Sequence, residues 1–159
     1  MRAAIITIST SKAAGRGEDE SGPRLAAFAA ELGAEVVGAD LIPDERATIE
    51  ARLRHWAQGE RCALVLTTGG TGLAPSDVTP EATRAVIDRE VPGLAEAMRA
   101  ASREHTPYWM LSRGVAGVCG SSLVINFPGS PRSIEQTGAA IRAALPHALA
   151  LLAGETPSH

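Results

Sequence analysis

The densest chemical signal in the chain is Thr68-Gly69-Gly70-Thr71-Gly72, with three glycines inside four residues. Glycines let a backbone approach a ligand closely and adopt positive φ, so that successive amides can point at one phosphate. The run is not a Walker A loop, since no Gly-Lys-Ser/Thr follows, and it lacks GxGxxG spacing. A tight strand-to-helix turn with no ligand would use the same residues. Two acids stand in comparable places, Asp44 in Pro43-Asp44-Glu45 and Asp77 at the end of TTGGTGLAPSD. A carboxylate there could orient a nucleophile, accept a proton or help hold Mg2+ near a polyphosphate. Equally, each could cap a helix, Asp44 lying three residues before Ala47 and Asp77 two before Thr79. Ser112 and Arg113 could bind phosphate or sit in a solvated turn. His55, His105, His147 and His159 show no pairing with one another and read as surface or helix residues. Cys62 and Cys119 are far apart, without CxxC or metal-ligand spacing, and read as small buried apolar residues.

Such residues act together only if regular elements position them. Residues 2–9, RAAIITIS, predict a first strand, and the polar stretch 10–22 a loop. Leu25, Phe28, Ala29 and Leu32 recur at i, i+3, i+4 and i+7, one face of a helix stopped by Gly33. AEVVGADLI at 34–42 predicts a second strand. Ile49, Leu53, Trp56 and Ala57 mark a second helix ending near Gly59. CALVLT at 62–67 is apolar on both faces, as a central parallel strand is. Thr79-Pro80-Glu81 offers an N-cap residue, a proline at the first helical position and an acid in the first turn, for a helix reaching about Arg89. Pro92-Gly93 separates it from a helix carrying Leu94, Ala97, Met98 and Ala101. Residues 110–119 and 122–127, split by Gly120-Ser121, predict a β-hairpin. A last helix starts at Ser130-Pro131 and carries Ile134, Ile141, Leu145, Leu149 and Leu152, with Pro146 kinking or dividing it.

Strands alternating with helices through short loops imply an α/β fold of three layers: a mostly parallel sheet, helices on both faces, and the small hairpin. In such sheets ligands bind beyond the carboxyl ends of the strands. Four segments fall there: Ser9-Thr10-Ser11, Pro43-Asp44-Glu45, Thr67 to Asp77, and Pro128-Gly129-Ser130. Two lead straight into helices, whose first amides favour anions by about 0.3–1 kcal/mol each.

At 159 residues the chain fits one domain over 1–159, and no composition shift or linker divides it. Aromatics at 3% argue against stacking on bases as a main binding mode, and a net charge of −3 without a basic block argues against nucleic acid as a partner. No apolar stretch approaches the roughly 20 residues that span a bilayer, so no membrane partner is expected. With no leader apparent and no disulfide pattern, a reducing cytoplasm is the expected compartment.

The seventeen residues TTGGTGLAPSDVTPEAT, Thr67 to Thr83, resemble the signature of the molybdopterin adenylyltransferase family, which includes bacterial Mog proteins and the G domains of gephyrin and its plant counterpart. Further similar stretches are Ser21-Gly22, Pro43-Asp44-Glu45, Pro92-Gly93, Leu111-Ser112-Arg113 and Asn126-Phe127-Pro128-Gly129-Ser130, in the family's order. The resemblance implies adenylyl transfer from ATP to molybdopterin with Mg2+ and release of pyrophosphate. It makes Asp44 and Asp77 the catalytic acids, with Mg2+ near one of them, and gives the phosphates to the Ser9 loop and to Thr68, Gly69, Gly70, Thr71 and Gly72. Ser21, Gly22, Ser112, Arg113, Pro128, Gly129 and Ser130 would surround the same pocket. A homotrimer and transient contact with other molybdenum cofactor biosynthesis proteins are also implied.

The chain departs from the family in four places. Thr10 stands where many relatives carry an acid, Ser76 where an arginine is common, and Cys119 and Ser121 where basic residues are frequent. The alternative within the same fold is a non-catalytic molybdopterin carrier of the MoaB type. A scaffold role like gephyrin's would need tethering segments that the pattern does not contain.

Overall fold

The computed structural model describes residues 1–156, so His159 lies outside the described residues. Its frame is a six-stranded sheet of β1 (Arg2–Ile8), β2 (Glu35–Ile42), β3 (Leu64–Thr68), β4 (Arg89–Glu90), β5 (Ala116–Cys119) and β6 (Ser122–Phe127), ordered β2-β1-β3-β6-β5-β4. The first four strands in that order run parallel, while β5 and β4 are antiparallel additions at one edge. The expected α/β architecture, mostly parallel with a hairpin, is the one found.

Alternation along the strands explains the layers. Ile5, Leu64, Leu66, Leu123 and Ile125 face α2 (Ser21–Glu31), α5 (Pro92–Ala101), α6 (Pro131–Ile141) and α7 (Leu145–Leu152), meeting Leu25, Phe28, Met98, Ile134 and Leu149. Ala4, Ile6, Ile8, Val65 and Val124 point the other way, toward α3 (Arg46–Arg54) and α4 (Thr79–Val86), and pack on Ile49, Leu53, Ala82 and Val86. Each large apolar side chain sealed in this way contributes about 1.5–3 kcal/mol. The helix predicted from Trp56 and Ala57 ends in a π-helical turn, His55–Gly59. That turn lays the Trp56 ring against Gly38, where a Cβ would leave no room, and lets its Nε1 donate to Asp40 at 2.6 Å.

Three details differ from the sequence expectation. The stretch after β1 is not all loop: Thr10–Ala13 forms one helical turn, α1, whose Lys12 amide donates to the Ser9 hydroxyl at 3.4 Å. The helix starting at Thr79 stops at Val86 rather than Arg89, because Asp88 N donates to Val118 O at 2.7 Å and Val91 N to Ala116 O at 2.8 Å. Those bonds draw the chain into the sheet as β4. Finally, the first hairpin arm begins only at Ala116; Trp109–Leu111 is a 3-10 turn. Its continuation is held elsewhere, through Arg113 N to Thr71 O at 2.8 Å. Pro146 does divide the last helix, standing in the first turn of α7. Among the described residues no helix is long and apolar enough to cross a membrane.

Candidate functional site

Register brings the four expected segments together. Thr7 pairs with Thr68, Thr68 with Phe127, and Ile8 with Ile42, so β1, β3, β6 and β2 all end at one margin of the sheet. The glycine run turns away from β3 there. Gly69 and Gly70 both have positive φ, +96° and +67°. A Cβ on Gly69 would strike the Ile8 carbonyl oxygen. One on Gly70 would strike Thr79 Oγ1 and approach Asp44 Oδ1 at 3.1 Å. Gly129 faces this run, its hypothetical Cβ 3.4 Å from Gly69 Cα. The Pro128-Gly129-Ser130 turn is stapled in place by Thr68 Oγ1, which donates to Pro128 O at 2.7 Å, and by Ser21 Oγ, which donates to Gly129 O at 2.8 Å.

The hydrogen bonds of the loop are asymmetric. Its carbonyls are all engaged: Gly69 O accepts from Thr79 Oγ1 (2.9 Å), Gly70 O from Thr79 N (3.1 Å), Thr71 O from Arg113 N (2.8 Å) and Gly72 O from Arg113 Nε (2.8 Å). The amides are not. Gly69 N reaches Phe127 O at 3.3 Å, but the amides of Gly70, Thr71 and Gly72 donate to nothing among the described residues. Thr71 is itself buried, at 6% exposure. Gly70 and Gly72 on either side of it are half-buried. Buried backbone amides are almost always paired, so the unpaired Thr71 amide, flanked by two more free amides, marks a place for an acceptor from outside the chain.

The two acids flank this run, and each is held by a single oxygen. Asp44 Oδ2 accepts from both the amide and the hydroxyl of Thr10, at 3.0 Å each, and Asp44 N donates back to Thr10 Oγ1 at 2.9 Å. Asp77 Oδ2 accepts from Ala74 N at 2.9 Å. The other oxygen of each carboxylate makes no hydrogen bond among the described residues. Neither acid caps α3 or α4, whose N-caps, Glu45 and Val78, accept no backbone amide on a side chain. Asp44 instead caps α1, across the strand ends.

Other predicted residues have partners that the sequence did not reveal. The guanidinium of Arg113 is turned into the protein: Nε donates to Gly72 O, Nη2 to Asp77 O at 2.8 Å, and Nη1 forms an ion pair with Glu81. That pair holds the Glu81 carboxyl below its ordinary range. The amides of Ser21 and Gly22 are already taken by Asp19 Oδ1, at 3.1 and 2.9 Å. Ser112 and Pro128 line a cavity of about 120 Å³ between α5, the Trp109–Leu111 turn and α6. Ser130 is exposed at the start of α6. The sequence reading missed Thr10, Asp19, Thr79 and Glu81 as supporting residues. Asp19 carried a signal, an Asp two residues before a helix start. It also missed Asn126, whose Nδ2 donates to Thr67 Oγ1 and Thr83 Oγ1, both at 3.0 Å, and whose Oδ1 accepts from Val115 N at 3.1 Å.

Among the described residues there is no cluster of three or more His, Cys, Asp or Glu side chains that could hold a metal ion. The free oxygens of Asp44 and Asp77 are the hard donors in the gap. Both cysteine thiols are buried and their pKa values pushed up by that burial.

A mostly parallel sheet whose strand-end loop presents bare amides between two half-held carboxylates defines an open α/β protein with a glycine-loop site. The chain belongs to a family within that class: the family model described as a probable molybdopterin binding domain matches residues 4–147. The Drosophila melanogaster molybdenum cofactor synthesis protein cinnamon is 41% identical over 150 residues; the match takes in 93% of this chain but only 25% of that protein. A Haemophilus influenzae molybdopterin adenylyltransferase is 40% identical over 139 residues, covering 86% of this chain and 71% of the enzyme. The crystal structure of the molybdopterin biosynthesis enzyme MoaB from Thermus thermophilus superposes with a TM-score of 0.91 at 47% identity, covering 97% of both chains.

Proposed function

We propose that this chain is a molybdopterin adenylyltransferase of molybdenum cofactor biosynthesis, a nucleotidyltransferase that moves AMP from ATP to the terminal phosphate of molybdopterin. The observation that carries the reading is the run of free amides at Gly70, Thr71 and Gly72 beside two carboxylates with one open oxygen each. Its likeness to enzymes named for this activity supports the chemistry.

An oxygen of the pterin's terminal phosphate attacks the α-phosphorus of ATP. One P–O bond forms there as the bond to the bridging oxygen of the β-phosphate breaks, and pyrophosphate leaves with the electron pair. The chain need supply no covalent nucleophile; in such transfers positioning and charge stabilisation do most of the work. The three amides take non-bridging phosphate oxygens. Asp44 and Asp77 suit Mg2+, which binds through one or two carboxylates together with substrate phosphates; these two would hold it, and it would supply positive charge against the polyphosphate. Ser9, Ser112 and Ser130 supply hydroxyls around the gap. The cavity beyond Pro128 receives the heterocyclic end of one substrate. With this reading go a single unit over 1–159, a homotrimer, a cytoplasmic compartment and transient contact with other proteins of the pathway.

Amide NMR tests the core of it. Adding ATP with Mg2+ should shift the Gly70, Thr71 and Gly72 amide resonances most strongly. Saturable binding that leaves those three unmoved would remove the loop from the site.

A further inference from the structure

The loop's carbonyls are engaged by two residues, Gly69 O and Gly70 O by Thr79 and Thr71 O and Gly72 O by Arg113, and Arg113 alone reaches on to Asp77 and Glu81. We infer that Arg113 is a positioning residue that orients the glycine loop and Asp77, and not a cation that binds phosphate; the inference rests on the reading of the loop as the polyphosphate site.

Four observations carry it. The Arg113 amide donates to Thr71 O, and its Nε to Gly72 O. Its Nη2 donates to Asp77 O, and its Nη1 pairs with Glu81 in the first turn of α4. Each guanidinium nitrogen therefore already has one partner, three of the five N–H donors being committed, and the charge is paired with Glu81 before any ligand arrives. Two of the fork's acceptors, Gly72 O and Asp77 O, lie on the loop and the third, Glu81, on α4, so a single planar group ties both ends of the Gly72-to-Asp77 segment to the helix that follows.

The consequence is directional. A loop binds an anion only if its donors face the ligand and its acceptors face away, since a carbonyl turned toward phosphate repels it. Thr79 holds the carbonyls of Gly69 and Gly70 inward, which turns the Gly70 and Thr71 amides of the same planar peptides outward. The Arg113 backbone amide does the same for Gly72 N through Thr71 O, and the Arg113 guanidinium anchors the far side of the loop at Gly72 O and Asp77 O. It also fixes the backbone of Asp77, whose carboxylate otherwise depends on the single bond to Ala74 N. A lysine cannot replace this arrangement. Its ammonium carries the same charge but is a point donor, without the fixed fork.

The test compares wild type with Arg113→Lys, Arg113→Gln and the milder Glu81→Gln in the full chain. It reads kcat and KM for adenylyl transfer, and hydrogen exchange over Gly69–Asp77. A positioning role predicts that Arg113→Lys loses about 10²-fold in kcat, the scale of a roughly 1 Å misplacement. KM for ATP should stay within about threefold, and the hydrogen-bonded loop amides of Ala74 and Asp77 should exchange about tenfold faster. Glu81→Gln should move both readouts the same way by less. A phosphate-binding role predicts the reverse: Arg113→Lys largely rescues, Arg113→Gln raises KM about tenfold or more, and loop exchange is unchanged. That pattern would overturn the inference. If wild type shows no turnover, the adenylyltransferase reading fails. The clamp is then judged by loop exchange alone, faster in Arg113→Lys supporting it and unchanged exchange refuting it.

Discussion

Replacing Gly70 by alanine isolates the feature on which the site depends. Gly70 adopts φ +67°, a region that costs an ordinary residue about 1–2 kcal/mol. The new methyl would also occupy the position of Thr79 Oγ1, a fully buried hydroxyl that donates to Gly69 O at 2.9 Å. Moving that hydroxyl leaves a buried group unsatisfied, at a cost of about 1–3 kcal/mol. Together the two effects destabilise the fold by about 2–5 kcal/mol, a large share of the 5–15 kcal/mol that holds a typical domain. The same methyl approaches Asp44 Oδ1 at 3.1 Å, the carboxylate oxygen left free for chemistry. Urea unfolding should therefore show a lower midpoint, and calorimetric titration with ATP and Mg2+ a weaker affinity by about tenfold or more. Gly93→Ala is the control: a Cβ there meets nothing within 4 Å, and the position is in α5. Alanine there should be neutral or stabilise by up to about 1 kcal/mol. If Gly70→Ala unfolds and binds like wild type, the loop is an ordinary turn and the argument from its geometry is wrong.

Other outcomes follow from neighbouring residues. Asp77→Asn keeps an oxygen to accept from Ala74 N, so the chain should fold and bind ATP while turnover drops about 10²–10³-fold in steady-state kinetics; unchanged turnover would exclude Asp77 from the reaction. Thr10→Val removes the hydroxyl that donates to Asp44 and should lower kcat, with Thr10→Ser restoring it; equal rates in both variants would show that Asp44 needs no such support. The Arg113–Glu81 pair has a pH signature. Because Glu81 is held below its ordinary pKa in the fold, the pair's contribution is present above the unfolded value and is lost as pH falls through the folded one. Thermal midpoints followed from neutral into acid should fall more for wild type than for Glu81→Gln, and parallel curves would contradict that.

Much of this architecture was legible because period-2 and period-3.6 patterns report burial directly. Ile5 and Ile6 point to opposite layers, as the apolar run implied, and Leu25, Phe28 and Ala29 form the inward stripe of α2. The strand-end rule then put Ser9, Asp44, the glycine run and Pro128 on one margin. What failed depended on partners distant in sequence. β4 exists because Asp88 and Val91 find carbonyls on β5, and two exposed residues, Arg89 and Glu90, carry no pattern to announce it. Arg113 is chemically suited to phosphate; only the fold reveals that its nitrogens are engaged by Gly72, Asp77 and Glu81. Asp44 caps a helix, but one reached through Thr10 on another strand's end, so the choice between cap and catalyst was never exclusive. One oxygen of the carboxylate caps and the other is left open.

The most direct measurement is product formation by the purified chain given molybdopterin, ATP and Mg2+. Pyrophosphate and adenylylated molybdopterin should appear in equal amounts, and both should drop sharply with Asp77→Asn. Tight binding of the pterin with no pyrophosphate above background would instead make the chain a carrier and contradict the enzymatic account.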